Sequence, residues 1–191
     1  MLLLILGLVL LLGAHTFTTR RAARAAAVER LGEGPYKGLY SLVSLLGLAL
    51  IVYGFRTYRE AGYIQVWDPP TGMRHLTLLL MWPAMICLVA AYVPGSIKRV
   101  LKHPMLVAVK IWAFAHLLAN GDLGSMVLFG SVLAWAVYDR ISLKRREQAG
   151  EVKIRYGGRL NDVVAVVLGT VLYAVMIFLH PILIGVPVVA F

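Results

Sequence analysis

The five histidines are the side chains of this sequence best suited to chemistry, because all of them lie within or at the edge of hydrophobic segments. They are His15, His75, His103, His116 and His180. Ionisable groups are costly to place in a membrane, so they usually mark a functional site there. A histidine taken alone is more often an interfacial or interhelical hydrogen bonder. The shared placement of all five strengthens the functional interpretation.

His116 has the richest surroundings of the five. Trp112, His116 and Asn120 recur at every fourth residue, which places them on one stripe of a helix. An aromatic ring, an imidazole and a polar partner suit a haem or metal ligand, whose second ring nitrogen needs an acceptor. They also suit a plain interhelical polar contact. We predict Trp112, His116 and Asn120 as cofactor-binding residues, with His116 as the metal ligand.

A second stripe contains Met176 and His180, again four residues apart. Imidazole and thioether are both ligands of haem iron, and His180 is the predicted second metal ligand. Zinc is less favoured, because the sequence lacks an HExxH motif, a cysteine pair and a cluster of carboxylates. Three arginines on the same predicted side of the membrane could pair with haem propionates, namely Arg56, Arg59 and Arg74.

The composition indicates that these residues are positioned by helices in lipid. Of 191 residues, 60% are hydrophobic and only 15% are charged, whereas a soluble domain carries about a quarter charged residues. We predict an all-α polytopic membrane bundle, a single domain over 1–191, with about six transmembrane helices. The last ten residues, Ile182 to Phe191, are too short to span and are predicted to lie at the interface. The predicted spans are Met1–Phe17, Leu39–Phe55, Leu76–Val93, Pro104–Ala119, Leu123–Tyr138 and Val163–Leu179.

The basic residues predict the orientation of these spans. Fifteen Lys and Arg residues fall in the gaps after the first, third and fifth segments, and three fall between the second and third. The positive-inside rule then places both termini on the non-cytoplasmic side. It also puts His75, His116 and His180 in an outer set and His15 and His103 in an inner set. The net charge of +10 fits contact with anionic lipids better than with nucleic acid.

Four runs of residues resemble the NnrU family of membrane proteins, and the resemblance covers nearly the whole chain. They are Leu-Gly-Ala-His-Thr-Phe at 12–17, Tyr-Lys-Gly-Leu-Tyr-Ser-Leu-Val-Ser at 36–44, Lys-Ile-Trp-Ala-Phe-Ala-His-Leu-Leu-Ala-Asn-Gly-Asp at 110–122, and Ser-Val-Leu-Ala-Trp-Ala-Val-Tyr-Asp-Arg at 131–140. The resemblance implies a multipass protein of the bacterial cytoplasmic membrane, associated with denitrification and nitric oxide metabolism.

A relative of that family, the 15-cis-zeta-carotene isomerase, implies a cofactor. It uses haem b, and its His-Pro and later Ala-His match His103-Pro104 and Ala115-His116 here. The resemblance therefore implies haem b bound through His116. The other ligand histidine of the isomerase falls where this sequence has Lys37, which puts isomerase activity in doubt. His180 is the substitute suggested by helix depth, and His15 is the alternative from its family motif.

Two other functions stay open at this stage. A cofactor-free transporter or accessory protein is permitted by the short segments and by Lys110, although no inverted repeat is detected. A membrane methyltransferase is suggested only by Lys-His-Pro at 102–104, without the rest of that motif. The favoured function is a haem-binding membrane protein in redox metabolism or haem-dependent isomerisation.

Overall fold

The computed structural model describes residues 1–152, 154 and 156–188, and this part of the chain is almost entirely α-helical. The all-α prediction is confirmed. The only β-type pairing in the described residues is a single antiparallel bridge between Gln65 and Asp122. The helices are α1 (Leu2–Thr19), α2 (Arg21–Leu31), α3 (Glu33–Glu60), α4 (Gly72–Tyr92), α5 (Ser96–Leu101), α6 (Pro104–Ala119), α7 (Leu123–Gln148) and α8 (Arg159–Ile184).

Five of these helices are long and apolar enough to cross a membrane: α1, α3, α4, α7 and α8. The sixth predicted span corresponds to α6, which is apolar but has 16 residues, just under the ~17–25 that a span usually needs. The chain is therefore a multipass membrane protein. The count of six spans and the side on which the termini lie stay predictions.

The chain divides into two compact units. The first unit combines Met1–Pro69 with Asn120–Gln148, and the second combines Pro70–Ala119 with the described residues from Ala149 onward. The first unit thus contains α1, α2, α3 and α7, and the second contains α4, α5, α6 and α8. The assignment of 1–191 to one membrane domain stays a prediction.

Close backbone contact between antiparallel α1 and α3 forms the centre of the first unit. A Cβ atom on Gly7 would lie only 2.6 Å from the backbone nitrogen of Ile51, and one on Gly47 would lie 2.8 Å from that of Leu11. Leu4, Leu8 and Ile51 are the buried side chains of this contact. Small residues at such crossings let helices approach closely, which is how helices gain packing energy in lipid.

The start of α7 is fixed by hydrogen bonds within the first unit. The backbone nitrogens of Val66 and Trp67 donate to the carbonyl oxygen of Gly121, and that of Leu123 donates to Ile64. Asp122 is buried, and its carboxylate accepts from the backbone nitrogen of Ser125 at 2.9 Å and from its hydroxyl. Asp122 therefore caps α7 in the manner preferred at helix N-termini.

Helix α4 is central to the second unit, because α6 and α8 both pack on it. The Thr77 hydroxyl donates to the carbonyl oxygen of Ala115 in α6 at 2.8 Å. The Tyr173 hydroxyl of α8 donates to the carbonyl oxygen of Leu78 at 3.1 Å. These two bonds attach both neighbouring helices to successive residues of α4, near its N-terminal end.

The opposite end of the second unit is held by polar contacts to the short helix α5. The carboxylate of Asp162 accepts from the backbone nitrogen of Ile97 at 2.9 Å. The Asn161 side chain donates to the carbonyl oxygen of Pro94 at 2.8 Å, and the Lys98 ammonium donates to that of Ala91. The N-terminal end of α8 is thereby joined to the turn that follows α4.

Candidate functional site

His116 is positioned by the packing of α6 on α4. Proline is favoured in the first turn of a helix, where it gives up no hydrogen bond, and α6 begins at Pro104. Ala113 and Ala115 are completely buried, so their small side chains allow α6 to approach its neighbour closely. Because Thr77 holds the carbonyl oxygen of Ala115, the backbone next to His116 is fixed. His116 itself is half-buried.

The ring of His116 is oriented by Trp112, one turn earlier. The Nδ1 atom of His116 lies 2.8 Å from the carbonyl oxygen of Trp112. A carbonyl oxygen can only accept, so Nδ1 carries a proton and in the neutral ring the lone pair is on Nε2. The Trp112 ring lies beside the imidazole, with ring centroids 5.2 Å apart. This is the tautomer that an Nε2 metal ligand requires.

His180 has the same arrangement at the end of α8. Its Nδ1 atom lies 2.7 Å from the carbonyl oxygen of Val186. The chain reaches that position because Gly185 adopts the left-handed conformation at φ 78° and ends the helix. The ring of His180 therefore also presents the lone pair on Nε2. The predicted interfacial tail, as far as it lies within the described residues, thus turns back toward His180.

The two imidazoles lie at the same end of the second unit. The side chain of Thr77 contacts Ala115 and that of Tyr173 contacts Leu78, so counting along the helices places His180 about 7–8 Å farther toward this end of the unit than His116. The two rings are close enough to interact electrostatically. Within the described residues, α6 and α8 pack on α4 but have little contact with each other. Met176 lies at about the same level as His116 by the same counting.

The remaining histidines of the second unit lie outside this pair. His75 is exposed in the first turn of α4, at the same end as His116 and His180. His103 directly precedes α6 and lies at the other end, next to α5. The depth argument from the sequence placed them in these same two groups.

His15 belongs to the first unit and has its own aromatic neighbours. Its Nδ1 atom lies 2.8 Å from the carbonyl oxygen of Leu11. The rings of Tyr40 and Trp135 each have their centroid 5.4 Å from that of the imidazole, and the Trp135 contact is edge-on. Asn120 also falls in the first unit. A role for His15 or Asn120 at the cofactor stays a prediction.

The polar residues near the predicted stripe have roles that the sequence did not indicate. Asp122 follows the His116 stripe in the sequence, but its carboxylate caps α7. Arg56 forms an ion pair with Glu60 at 2.8 Å, and Arg59 lies over the rings of Phe55 and Tyr63. Both arginines belong to the first unit. Of the three arginines considered for propionates, Arg74 is the one in the unit that holds His116.

No group of three or more His, Cys, Asp or Glu side chains that could hold a metal ion occurs in the described part of the chain. Haem needs only one or two protein ligands, so the pair of His116 and His180 is compatible with it. Cys87 is a free thiol buried in α4, where it packs as a small hydrophobic residue.

Sequence reasoning missed a stripe of α3 in the first unit. Tyr36, Tyr40 and Ser44 are spaced by four. The hydroxyl oxygen of Tyr36 is buried without a hydrogen-bond partner among the described residues, as is the indole nitrogen of Trp135. The four-residue spacing of hydroxyl groups in an apolar segment was the signal that could have identified this stripe.

A family model described as NnrU protein matches residues 3–188, which is nearly the whole chain. No curated protein and no solved structure matches the sequence. The comparison supports the resemblance drawn from the four sequence runs.

Proposed function

The chain belongs to the NnrU family, and from this membership and the histidine pair we propose that it is a haem b-binding protein of the bacterial cytoplasmic membrane. In this proposal the imidazoles of His116 and His180 would hold the haem iron. The protein acts in redox metabolism linked to nitric oxide and denitrification, or in haem-dependent isomerisation. The observation that carries the proposal is the shared tautomer of two neighbouring imidazoles, each with Nδ1–H donating to a backbone carbonyl.

The chemistry of the donor set fits haem. Both Nδ1 atoms are engaged by carbonyl oxygens at 2.7–2.8 Å, as is usual for metal-bound histidine, because the bond fixes the ring and makes the ligating nitrogen more basic. The indole of Trp112 beside His116 offers an apolar surface to a macrocycle. A bound haem would supply one-electron exchange and the binding of a small ligand such as nitric oxide.

The residues of this chain orient the two imidazole rings and control the access of water to the site. Trp112 and Val186 hold the two rings by their carbonyl oxygens, and Thr77 fixes the α6 backbone beside His116. The apolar side chains of the surrounding helices limit the access of water to a bound group. Met176 lies one turn before His180 and provides a thioether at the level of His116, so it is the alternative second ligand.

The decisive experiment is an absorption spectrum of the purified protein after expression with ample haem, followed by haem titration of the variants. A Soret band is expected for the natural protein. His116→Ala is expected to abolish tight binding, and His180→Ala to change the band or weaken binding by at least about tenfold, as for the loss of one ligand. His103→Ala, at the other end of the same unit, is the matched control and should leave the spectrum unchanged.

The outcomes separate the alternatives. Retention of the natural spectrum in His180→Ala together with its loss in Met176→Leu would assign the second ligand to Met176. The absence of a Soret band in the natural protein would overturn the haem proposal. It would favour the cofactor-free transporter or accessory function, which a flux assay in proteoliposomes would then test. Size-exclusion profiles and far-ultraviolet circular dichroism would show that each variant is folded.

A further inference from the structure

An apolar cavity of about 240 Å³ lies in the first unit, between α1, α2 and α3. Its lining is aliphatic and aromatic, and the only polar side-chain atoms in the lining are the hydroxyl groups of two tyrosines. The residues that line it are Ala14, Phe17, Ala27, Leu31, Tyr36, Leu39, Tyr40 and Val43. Pockets for whole drug-sized ligands are roughly 300–1,000 Å³, so this one suits part of a hydrocarbon chain.

Tyr36 gives the cavity an unused hydrogen-bond donor. Its side chain lines the cavity, only 7% of the residue is exposed, and its hydroxyl has no partner among the described residues. Buried hydroxyl groups are nearly always hydrogen-bonded, and an exception calls for an explanation. The hydroxyl of Tyr36 therefore indicates a ligand that carries an acceptor.

The charge around the cavity indicates that this acceptor is anionic. The guanidinium of Arg24 in α2 lies 5.7 Å from the centre of the Tyr36 ring and is half-buried. Arg20 and Arg21 precede it at the start of α2, and Arg30 follows in the last turn. The positive-inside rule assigns this segment to the cytoplasmic face, where basic pockets among membrane helices bind anionic lipid headgroups.

We propose that this cavity binds an anionic phospholipid, with one acyl chain among the apolar side chains and the phosphate held by Arg24. The Tyr36 hydroxyl donates to a phosphate or ester oxygen of the same lipid. Helix α2 thereby closes over a lipid chain at the membrane surface. This site belongs to the first unit and is independent of the haem proposal for His116 and His180.

The test measures bound lipid on the purified full-length protein. The protein is exchanged into detergent with equal amounts of phosphatidylglycerol and phosphatidylcholine, and the retained lipid is counted by native mass spectrometry. One retained phosphatidylglycerol per chain is expected, with little phosphatidylcholine. Arg24→Gln is expected to reduce retention by about tenfold, because it removes a charge-assisted bond. Tyr36→Phe is expected to reduce it by roughly threefold, as a neutral hydrogen bond would.

Two matched controls are available on α2. Arg30→Gln removes the same charge from the same helix, and Ala26→Phe adds the same bulk at an exposed position as Ala27→Phe adds inside the cavity. Both controls should retain the lipid, whereas Ala27→Phe should expel it. Circular dichroism of each variant shows that the helices are intact.

Several results would overturn the proposal. Equal retention of phosphatidylcholine would show that the headgroup is not recognised. Equal losses of retained lipid in Arg24→Gln and Arg30→Gln would show that the basic segment attracts anionic lipid diffusely, without a specific binding site. Displacement by millimolar inorganic phosphate with no loss in Ala27→Phe would show an anion site without a chain. Each of these results leaves the haem spectrum, and therefore the function proposed for His116, unaffected.

Discussion

The carbonyl oxygen of Val186 accepts a hydrogen bond from Nδ1 of His180 at 2.7 Å, six residues back along the chain. The bond closes only because Gly185 adopts φ 78°, a left-handed conformation that costs other residues about 1–2 kcal/mol. The segment beyond α8 therefore determines which nitrogen of His180 carries the proton.

Gly185→Ala is expected to weaken the bond between His180 and Val186, because alanine disfavours the left-handed backbone. Haem affinity should fall several-fold and the Soret band of the loaded protein should broaden or shift. Titration of haem into the purified variant measures this. Gly158→Ala is the control, since Gly158 has an ordinary φ of −75° and open space where the added Cβ atom would lie. An identical haem affinity in Gly185→Ala and Gly158→Ala would show that the hydrogen bond between His180 and Val186 does not contribute to haem binding.

Gly7→Ala is expected to lower the stability of the first unit by about 1–3 kcal/mol, as overpacking does. Its Cβ atom would lie 2.6 Å from the backbone nitrogen of Ile51 and 2.7 Å from the carbonyl oxygen of Gly47. Backbone atoms cannot move aside as flexible side chains can. Gly13→Ala, on the same helix with nothing within 4 Å, should be neutral or slightly stabilising. Thermal denaturation in detergent micelles measures the unfolding midpoints of the two variants. Equal midpoints for Gly7→Ala and Gly13→Ala would contradict the close packing of α1 on α3.

Asp122→Ala is expected to destabilise α7 by about 1 kcal/mol, the usual value of an N-terminal cap. The variant loses the acceptor for the backbone nitrogen and hydroxyl of Ser125. Asp122→Asn should recover most of the stability, because an asparagine oxygen caps nearly as well. Hydrogen exchange at the first turn of α7 gives the local readout. Failure of Asn to rescue would indicate that the carboxylate charge has another role.

Thr77→Val is expected to cost about 0.5–1.5 kcal/mol, the net value of one hydrogen bond. It removes the donor to the carbonyl oxygen of Ala115, the residue before His116, so haem affinity should fall together with stability. Thr57→Val is the control, since its hydroxyl donates within its own helix to Gly54. An unchanged haem affinity in Thr77→Val would show that α6 is held at His116 by packing alone.

The apolar helices could be predicted from the sequence because hydropathy responds to the composition of each stretch. The segment Pro104–Ala119 coincides with α6, but the other helices extend beyond their apolar parts. Helix α7 continues to Gln148 through a run rich in Lys, Arg and Glu, residues that favour helices without being hydrophobic. Helix α2, Arg21–Leu31, was missed for the same reason: its alanines and arginines form a helix but carry no hydrophobic signal.

The site was predictable in part. Helix counting was sufficient to group His75, His116 and His180 at one end, since rise per residue is fixed. The acceptors of the two Nδ1 atoms were not predictable, because Trp112 and Val186 offer backbone oxygens whose direction depends on rotamers and on the turn at Gly185. Asp122 lies close to His116 in the sequence, but α6 ends between them and Asp122 caps the next helix through Ser125.

Helix α4 carries Pro83 in its interior, and this residue cannot donate to the carbonyl oxygen four positions earlier, at Leu79. The N-terminal half of the helix, which contacts α6 and α8 through Thr77 and Leu78, is therefore joined to the C-terminal half by a backbone that lacks one helical hydrogen bond. Because the two neighbouring helices have little mutual contact, this N-terminal half positions both imidazoles. A tilt about Pro83 would therefore move the two imidazoles together and preserve the gap between them.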